Sequence, residues 1–168
     1  LLHCEENEAV IGFDLSTEAG TRRCWITAQQ NAIADAQTTR RWRDEDLRHG
    51  LPRFAPNREH GWTPHMLSLD RLKAFSVRKG CYPGQEIVAR THFLGRAKRQ
   101  AWWIEGDDLA AGQILQNPDG RALGEVVETT GDGRGALAVA TLIDMENLRC
   151  GSGQISARPP LVGLARPA

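Results

Sequence analysis

The chain has 168 residues, of which 40% are hydrophobic and 25% charged, a composition typical of one or two small globular domains. Its 21 basic and 21 acidic side chains give no formal net charge, which argues against a protein that binds duplex nucleic acid by neutralising phosphates. No run approaches the ~20 apolar residues of a membrane helix, so we expect no membrane contact.

The cysteines and the N-terminal residues bear on where the protein works. The four cysteines include no C-x-x-C pair, which is typical neither of a zinc site nor, at this density, of a disulfide scaffold. A reduced, cytoplasmic setting without a bound metal is therefore expected. The first residues turn acidic at once, unlike a signal peptide, and the lack of an initial Met predicts a fragment or a processed piece.

The predicted elements begin with a β-hairpin and a helix. Residues 9–15 and 23–27 are apolar runs separated by a turn that contains glycine, a pattern typical of two antiparallel strands. A helix is predicted over residues 39–49, because Gly50 suits the left-handed position after a last turn and Pro52 prevents continuation. A hairpin followed by one helix is therefore expected near the start of the chain.

The middle of the chain combines a long irregular stretch with a short helix. Residues 51–78 contain three prolines and no clear hydrophobic period, and connections of this length are often functional or wrap over a surface. A turn-rich segment at residues 79–84 then leads into a helix predicted over residues 85–90.

The last part of the chain changes to short strands between recurring turn signals. Strands are predicted over residues 100–105, 123–128 and 135–142. Short strands with regular turns are typical of a small barrel or sandwich. We therefore predict such a domain over residues 95–168, after a first unit that comprises residues 1–94.

The segment at residues 79–90, K-G-C-Y-P-G-Q-E-I-V-A-R, carries the most chemical information. It places the Cys81 thiol just ahead of a helix start, where free backbone N–H groups and the nearby Lys79 both favour a thiolate. Glu86 falls in the first helical turn, and Arg90 lies four residues later, so the two can form an ion pair. The alternative is that Cys81 is a small buried hydrophobic residue, as most single cysteines are.

This segment resembles the signature of the YgfZ family, K-G-C-[Y/F]-x-G-Q-E-x-x-x-R. Eight positions match: Lys79, Gly80, Cys81, Tyr82, Gly84, Gln85, Glu86 and Arg90. Residues 42–52 also resemble the family's helix that ends in an A-G-I-P segment, and residues 67–70 resemble its N-L-D stretch. The resemblance covers about residues 38–105.

The resemblance implies the fold of the glycine-cleavage T-protein. The chain would then supply part of the folate-binding α+β module, followed by a small C-terminal antiparallel β-barrel. The resemblance also implies tetrahydrofolate, or a folate derivative, as the cofactor. It assigns chemistry to Cys81 and Lys79 and cofactor contacts to six residues: Trp42, Arg48, Tyr82, Gln85, Glu86 and Arg90.

Two of these cofactor contacts have ordinary structural alternatives. The flat indole of Trp42 can stack on a pterin or benzoyl ring, but it could equally anchor a helix that has few other apolar residues. The guanidinium of Arg48 suits the glutamate tail of folate, but a cation at the end of a helix is also favoured by the helix dipole.

The function implied by the resemblance is that of a folate-binding accessory protein for iron–sulfur cluster maintenance or assembly. Its partners would be iron–sulfur client proteins, among them enzymes that modify tRNA, with no direct nucleic-acid binding. Three alternatives stay open: an aminomethyltransferase like the T-protein, a thiol redox enzyme that uses Cys81, and a binding module without chemistry.

Overall fold

A computed structural model shows a mixed α/β protein with a nearly closed antiparallel β-barrel. It describes residues 9–17, 20–27, 35–54, 61–95, 97–141 and 147–164. Within these ranges the elements follow in the order β1 Ala9–Asp14, β2 Arg23–Thr27, α1 Ala36–Arg48, α2 Gln85–Leu94, β3 Arg99–Glu105, β4 Ile114–Gln116, β5 Ala122–Thr129, β6 Gly135–Thr141, β7 Arg149–Cys150, β8 Gly153–Gln154 and β9 Ser156–Arg158.

Strands β1 and β2 form the predicted hairpin. They are antiparallel, with Asp14 opposite Arg23 and Gly12 opposite Trp25. The pairing continues toward the turn, where Leu15 N donates a 2.8 Å hydrogen bond to the carbonyl oxygen of Arg22. The hairpin is a separate two-stranded sheet that does not join the barrel.

Helix α1 confirms the predicted helix and begins three residues earlier than expected. Asp35 is the N-cap, and its carboxylate accepts a 2.7 Å hydrogen bond from Thr38 N. This cap satisfies one of the N–H groups that a helix start leaves unpaired. Beyond the last turn Gly50 has φ +76°, the left-handed conformation that its position predicted.

The barrel is a seven-stranded sheet with the order β8-β7-β4-β5-β6-β3-β9. All of its neighbouring strands are antiparallel. Strands β8 and β9 lie at opposite edges of the sheet, yet one residue, Ile155, connects them. The side chain of Ile155 is buried in the barrel core. The chain therefore bends from one edge to the other within one residue, which nearly closes the sheet.

Strand β6 shows why the barrel can be narrow. Its alanines at positions 136, 138 and 140 face the interior, where they pack with Trp102 and Ile104 of β3. Small residues at interior positions suit the limited space inside a small barrel. Leu137 and Val139 point outward instead and are fully buried beneath other parts of the chain. Both faces of β6 are therefore buried, which explains its continuous apolar sequence.

The outer face of the barrel packs against α1 and the segment after it. Leu47 of α1 is buried against Trp103 and Leu137, and Leu67 is buried against Val139. Trp102 therefore faces the barrel interior while Trp103 faces α1. Neighbouring tryptophans on a strand point to opposite faces because the side chains alternate.

Helix α2 is packed much less than α1. Val88 is its one buried residue, whereas Phe93 and Leu94 are 68% and 83% exposed. Neither this helix nor any other helix in the described ranges has the length and apolar character to cross a membrane.

Candidate functional site

The segment that precedes α2 is a tight turn held by its own backbone and side chains. Gln85 N donates to Tyr82 O at 3.2 Å, and Tyr82 N donates to Gln85 Oε1 at 3.3 Å. Gly84, the N-cap of α2, has φ +81°, a conformation that a residue with a Cβ adopts only with strain. The turn ends in the helix and leaves Cys81 outside it, on its N-terminal side.

Cys81 is exposed and lines a cleft of about 540 Å³. We call this the thiol cleft; its lining residues are Lys73, Ala74, Phe75, Ser76, Lys79, Gly80, Cys81 and Tyr82. The Tyr82 hydroxyl donates a 3.2 Å hydrogen bond to the carbonyl oxygen of Ser76, which connects the two sides of the cleft. The cleft thus presents one accessible thiol together with two lysines, Lys73 and Lys79, and a tyrosine.

The motif residues on α2 lie outside the lining of the thiol cleft. Arg90 Nη2 and Glu86 Oε1 form the expected ion pair at 2.8 Å, with the two side chains 70% and 82% exposed. Such an exposed pair contributes only about 0.3–0.5 kcal/mol to helix stability. Gln85 is engaged in the turn itself. The structure therefore brings together Lys79, Cys81 and Tyr82, and places Gln85, Glu86 and Arg90 in the turn and on the helix surface.

Trp42 lines a different cavity, between α1 and the hairpin, of about 310 Å³. We call this the tryptophan cavity; among its lining residues are Thr17, Arg22, Trp42, Glu45 and His49. The guanidinium carbon of Arg22 lies 3.6 Å from the centroid of the Trp42 ring. A cation therefore covers one face of the indole, the face-on arrangement that a cation–π contact favours.

Arg22 belongs to a buried charge cluster that sequence reasoning missed. Asp46 of α1 binds Arg22 through Oδ1 and Arg53 through Oδ2, both at 2.5 Å. The side chains of Asp46 and Arg22 are only 5% and 9% exposed. The remaining nitrogens of Arg22, Nε and Nη1, are buried without a partner in the described part of the chain. No local spacing could have revealed this cluster, because Arg22 and Asp46 are 24 residues apart.

Arg48 lies on the barrel side of α1. It is exposed, and its guanidinium carbon lies 5.8 Å from the centroid of the Trp103 ring. It is not among the residues that line the tryptophan cavity. The proposed folate contacts therefore fall into three places: Trp42 in the tryptophan cavity, Arg48 beside the barrel, and the motif residues at or near the thiol cleft.

A second carboxylate joins the barrel to the segment after α1. Glu128 of β5 accepts a 2.5 Å hydrogen bond from Arg53 N through Oε2. Burial raises the pKa of Glu128, and the hydrogen bond and charge of Arg53 offset part of that rise. Arg53 therefore contacts both Asp46 and Glu128, one through its side chain and the other through its backbone.

The other described cysteines are less suited to chemistry than Cys81. Cys150 is buried, its thiol donates a 3.2 Å hydrogen bond to Gln113 Oε1, and burial raises its pKa. Cys24 is half-buried in the hairpin. All three described cysteines are free thiols, and Cys4 lies outside the described residues. Because an accessible thiol reacts faster than a buried one, Cys81 is the reactive candidate of the three.

No protein-family model matches this chain.

Proposed function

We propose that this protein is a YgfZ-like accessory factor for iron–sulfur cluster maintenance, with Cys81 as its reacting group. The observation that carries the proposal is the exposure of Cys81 in a cleft that Lys79 also lines. A thiol sealed in apolar packing, as Cys150 is, would leave the motif without an accessible nucleophile or cluster ligand. The substrates are iron–sulfur client proteins, including enzymes that modify tRNA.

The charge of the thiol cleft supports this assignment. A thiolate is the form of cysteine that attacks electrophiles and binds iron, and nearby cations favour it. Lys73 and Lys79 line the cleft, and no acidic side chain is among its lining residues. The tight turn at Tyr82 and Gln85 fixes the backbone beside the thiol. The proposal therefore gives Lys79 the role of a cation that lines the same cleft as the reacting sulfur.

The proposal includes a T-protein-like module at residues 1–94. It also includes tetrahydrofolate as the ligand of that module. The fit of the described residues to folate is partial. Trp42 lines a cavity that could hold a flat ring, but Arg22 covers one face of the indole. Trp42 and Cys81 also line separate cavities. We therefore propose folate only as a ligand, and the proposal includes no reaction between folate and the thiol.

Genetic complementation tests the role of Cys81. The intact protein, Cys81→Ser and Lys79→Ala are each expressed in a strain that lacks the gene, and the activity of an iron–sulfur tRNA-thiolating enzyme is measured. We expect Cys81→Ser to abolish the rescue and Lys79→Ala to reduce it, because the first removes the reacting sulfur and the second removes a cation from the lining of the same cleft.

The matched control is Cys24→Ser, which removes a half-buried thiol that lies in the hairpin rather than in the cleft. It should rescue as well as the parent, provided that immunoblots show equal protein levels. Normal thiolation with both Cys81→Ser and Lys79→Ala would overturn the proposal and would leave a binding module without thiol chemistry.

A further inference from the structure

A third cavity lies between the segment after Trp62, the C-terminal half of α2 and the start of β3. Its volume is about 480 Å³, and we call it the histidine cavity. Its polar lining includes His65, Ser68, Arg71, Thr91, His92 and Arg99. None of these residues lines the thiol cleft or the tryptophan cavity. The function proposed above leaves this group of donors unused.

His65 has the least satisfied side chain of the histidine cavity. Both ring nitrogens are buried, and neither has a hydrogen-bond partner among the residues that the structure describes. The ring is held in place by Phe75, with the two centroids 4.8 Å apart, and His92 lies 6.3 Å away by the same measure. A buried polar group without a partner is destabilising, so a ligand atom that reached either ring nitrogen would supply the missing hydrogen bond.

Arg71 supplies a fixed positive charge beside His65. Its Nη1 donates to Leu161 O at 2.7 Å and its Nη2 donates to His49 O, which leaves Nε buried and without a partner in the described ranges. Burial lowers the pKa of Arg71, and the charge of Asp70 offsets part of that effect. A cation that has lost water gains more from an anionic ligand than a solvated one does.

Ser68 adds a hydroxyl donor in an uncommon backbone conformation. Its φ is +52°, a region that residues with a Cβ rarely adopt. Its Oγ accepts a 3.1 Å hydrogen bond from Ala101 N, so the hydroxyl hydrogen remains free to donate. Strained residues of this kind concentrate at functional sites.

These observations point to a ligand that is an oxyanion. Among the described residues of the lining, the two arginines, Arg71 and Arg99, outnumber the one acidic residue, Asp70, which is exposed. No group of three or more His, Cys, Asp or Glu side chains within the described ranges could hold a metal ion, so the histidines act as hydrogen-bond partners. Arginine, histidine and hydroxyl donors together match the several acceptor oxygens of a phosphate.

We propose that the histidine cavity binds the phosphate group of a small phosphorylated molecule. His65, Arg71 and Arg99 contact the phosphate oxygens. The organic part of the ligand lies against the apolar wall formed by Ala97, Ala101 and Pro160, since the cavity of about 480 Å³ is far larger than one phosphate ion. This site is independent of the Cys81 chemistry proposed above.

Calorimetric titration with inorganic phosphate and with adenosine monophosphate tests this proposal, with adenosine as the uncharged comparison. The variants are Arg99→Gln, an exposed position, and His65→Gln, whose ring nitrogens have no hydrogen-bond partner among the described residues. Each should weaken binding of both phosphate probes about tenfold, as expected for the loss of a hydrogen bond to a charged group. Adenosine alone should not bind.

The matched control is Lys98→Gln, which removes the same charge from the neighbouring exposed residue that does not line the cavity. It should leave both affinities within about twofold of the parent, since the side chain of Lys98 makes no contact with the cavity and an exposed charge is weakened by solvent and salt. Tighter binding of the nucleotide than of inorganic phosphate would support an organic ligand, and equal binding would support free phosphate. No binding, or equal loss in Arg99→Gln and Lys98→Gln, would overturn the proposal. If His65→Gln fails to fold, Arg99→Gln decides the matter alone.

Discussion

Asp46 holds two arginines that come from different parts of the chain. Arg22 follows the turn of the hairpin and Arg53 follows α1, and each donates to a separate oxygen of the same carboxylate. Arg22 in turn lies over Trp42. The carboxylate therefore connects the hairpin, the helix and the loop after it.

Replacement of Asp46 by Asn should destabilise the protein strongly. The amide keeps the shape but removes the negative charge, so the guanidinium of Arg22, 9% exposed, is left without a counter-charge. Loss of one partner from a buried ion pair costs about 3–5 kcal/mol. Urea unfolding followed by circular dichroism measures the change in the free energy of unfolding.

The control for Asp46→Asn is Glu105→Gln, because Glu105 forms a pair of similar length with Arg158, at 2.6 Å, whose side chains are 45% and 57% exposed. That substitution should cost less than about 1 kcal/mol. Equal losses in the two variants would show that burial of Arg22 does not determine the strength of the Asp46 cluster.

At the residue scale the sequence predicts what depends on near neighbours. The Glu86–Arg90 pair and the left-handed Gly50 follow from spacings of a few residues, and the structure confirms both. The Arg22–Asp46 pair, and the approach of Arg71 to His49 and Leu161, join residues far apart in the chain. Such contacts depend on the tertiary fold, which local patterns do not encode.

The same contrast between local patterns and the tertiary fold applies to the helices and strands. Strands β3, β5 and β6 lie within about one residue of their predicted bounds, because each has several apolar residues between two turn signals. Strands β4 and β7–β9 were not predicted, because they have only two or three residues and such short segments show no periodic signal. The predicted start of α1 was three residues too late. No large apolar residue of the helix lies near its N-cap, Asp35, so no apolar pattern marks where the helix begins.

Gly124 shows how closely two elements approach each other. It lies on β5 opposite Ala140 of β6, and a Cβ built at this position would overlap Val139 O and lie 2.5 Å from Ala140 Cα. The backbone atoms of β6 cannot move away, because that strand is paired on both sides. The close contact between β5 and β6 therefore requires a residue without a side chain.

Gly124→Ala should lower the free energy of unfolding by about 1–3 kcal/mol, the range seen for overpacked interiors. Thermal unfolding followed by circular dichroism measures it. The control is Gly95→Ala, where a Cβ would meet nothing within 4 Å and the backbone is extended at φ −161°. Equal melting temperatures for the two variants would contradict the steric argument.

On the scale of the whole molecule, α1 and the barrel share one packed interface. Leu47 fills the space between Trp103 and Leu137, and Glu128 of the barrel binds the backbone of the segment after α1. Residues on both sides of the predicted boundary at residues 94–98 therefore contribute to the same interface. The division into a first unit of residues 1–94 and a barrel domain of residues 95–168 stays a prediction.

Glu128 should make the stability of this interface depend on pH. Its pKa is raised in the folded protein, so the folded state binds the proton more tightly than the unfolded state. Stability should therefore fall as pH rises from the unfolded pKa, about 4.3, through the folded value. Glu128→Gln keeps an acceptor for Arg53 N and cannot ionise, so it should remove this part of the decline.

Urea unfolding of the parent and of Glu128→Gln at pH values from about 4.5 to about 7 measures the effect. The difference between their free energies of unfolding should widen toward neutral pH. Asp14, Asp35 and Asp132 act in the opposite sense, because hydrogen bonds lower their pKa values. Their contributions are present above the unfolded pKa of about 3.9 and decline below it, so they do not disturb this window. Parallel curves for the two proteins would rule out Glu128 as the cause.

The short connection through Ile155 also affects how folded molecules behave at high protein concentration. Unpaired backbone groups along a strand attract strands of other molecules, and long flat margins are the usual starting point for fibrous assembly. Here the outermost strands have two and three residues, Gly153–Gln154 and Ser156–Arg158. So short a margin gives a second molecule little to pair with, and the folded barrel is protected from growth by strand addition.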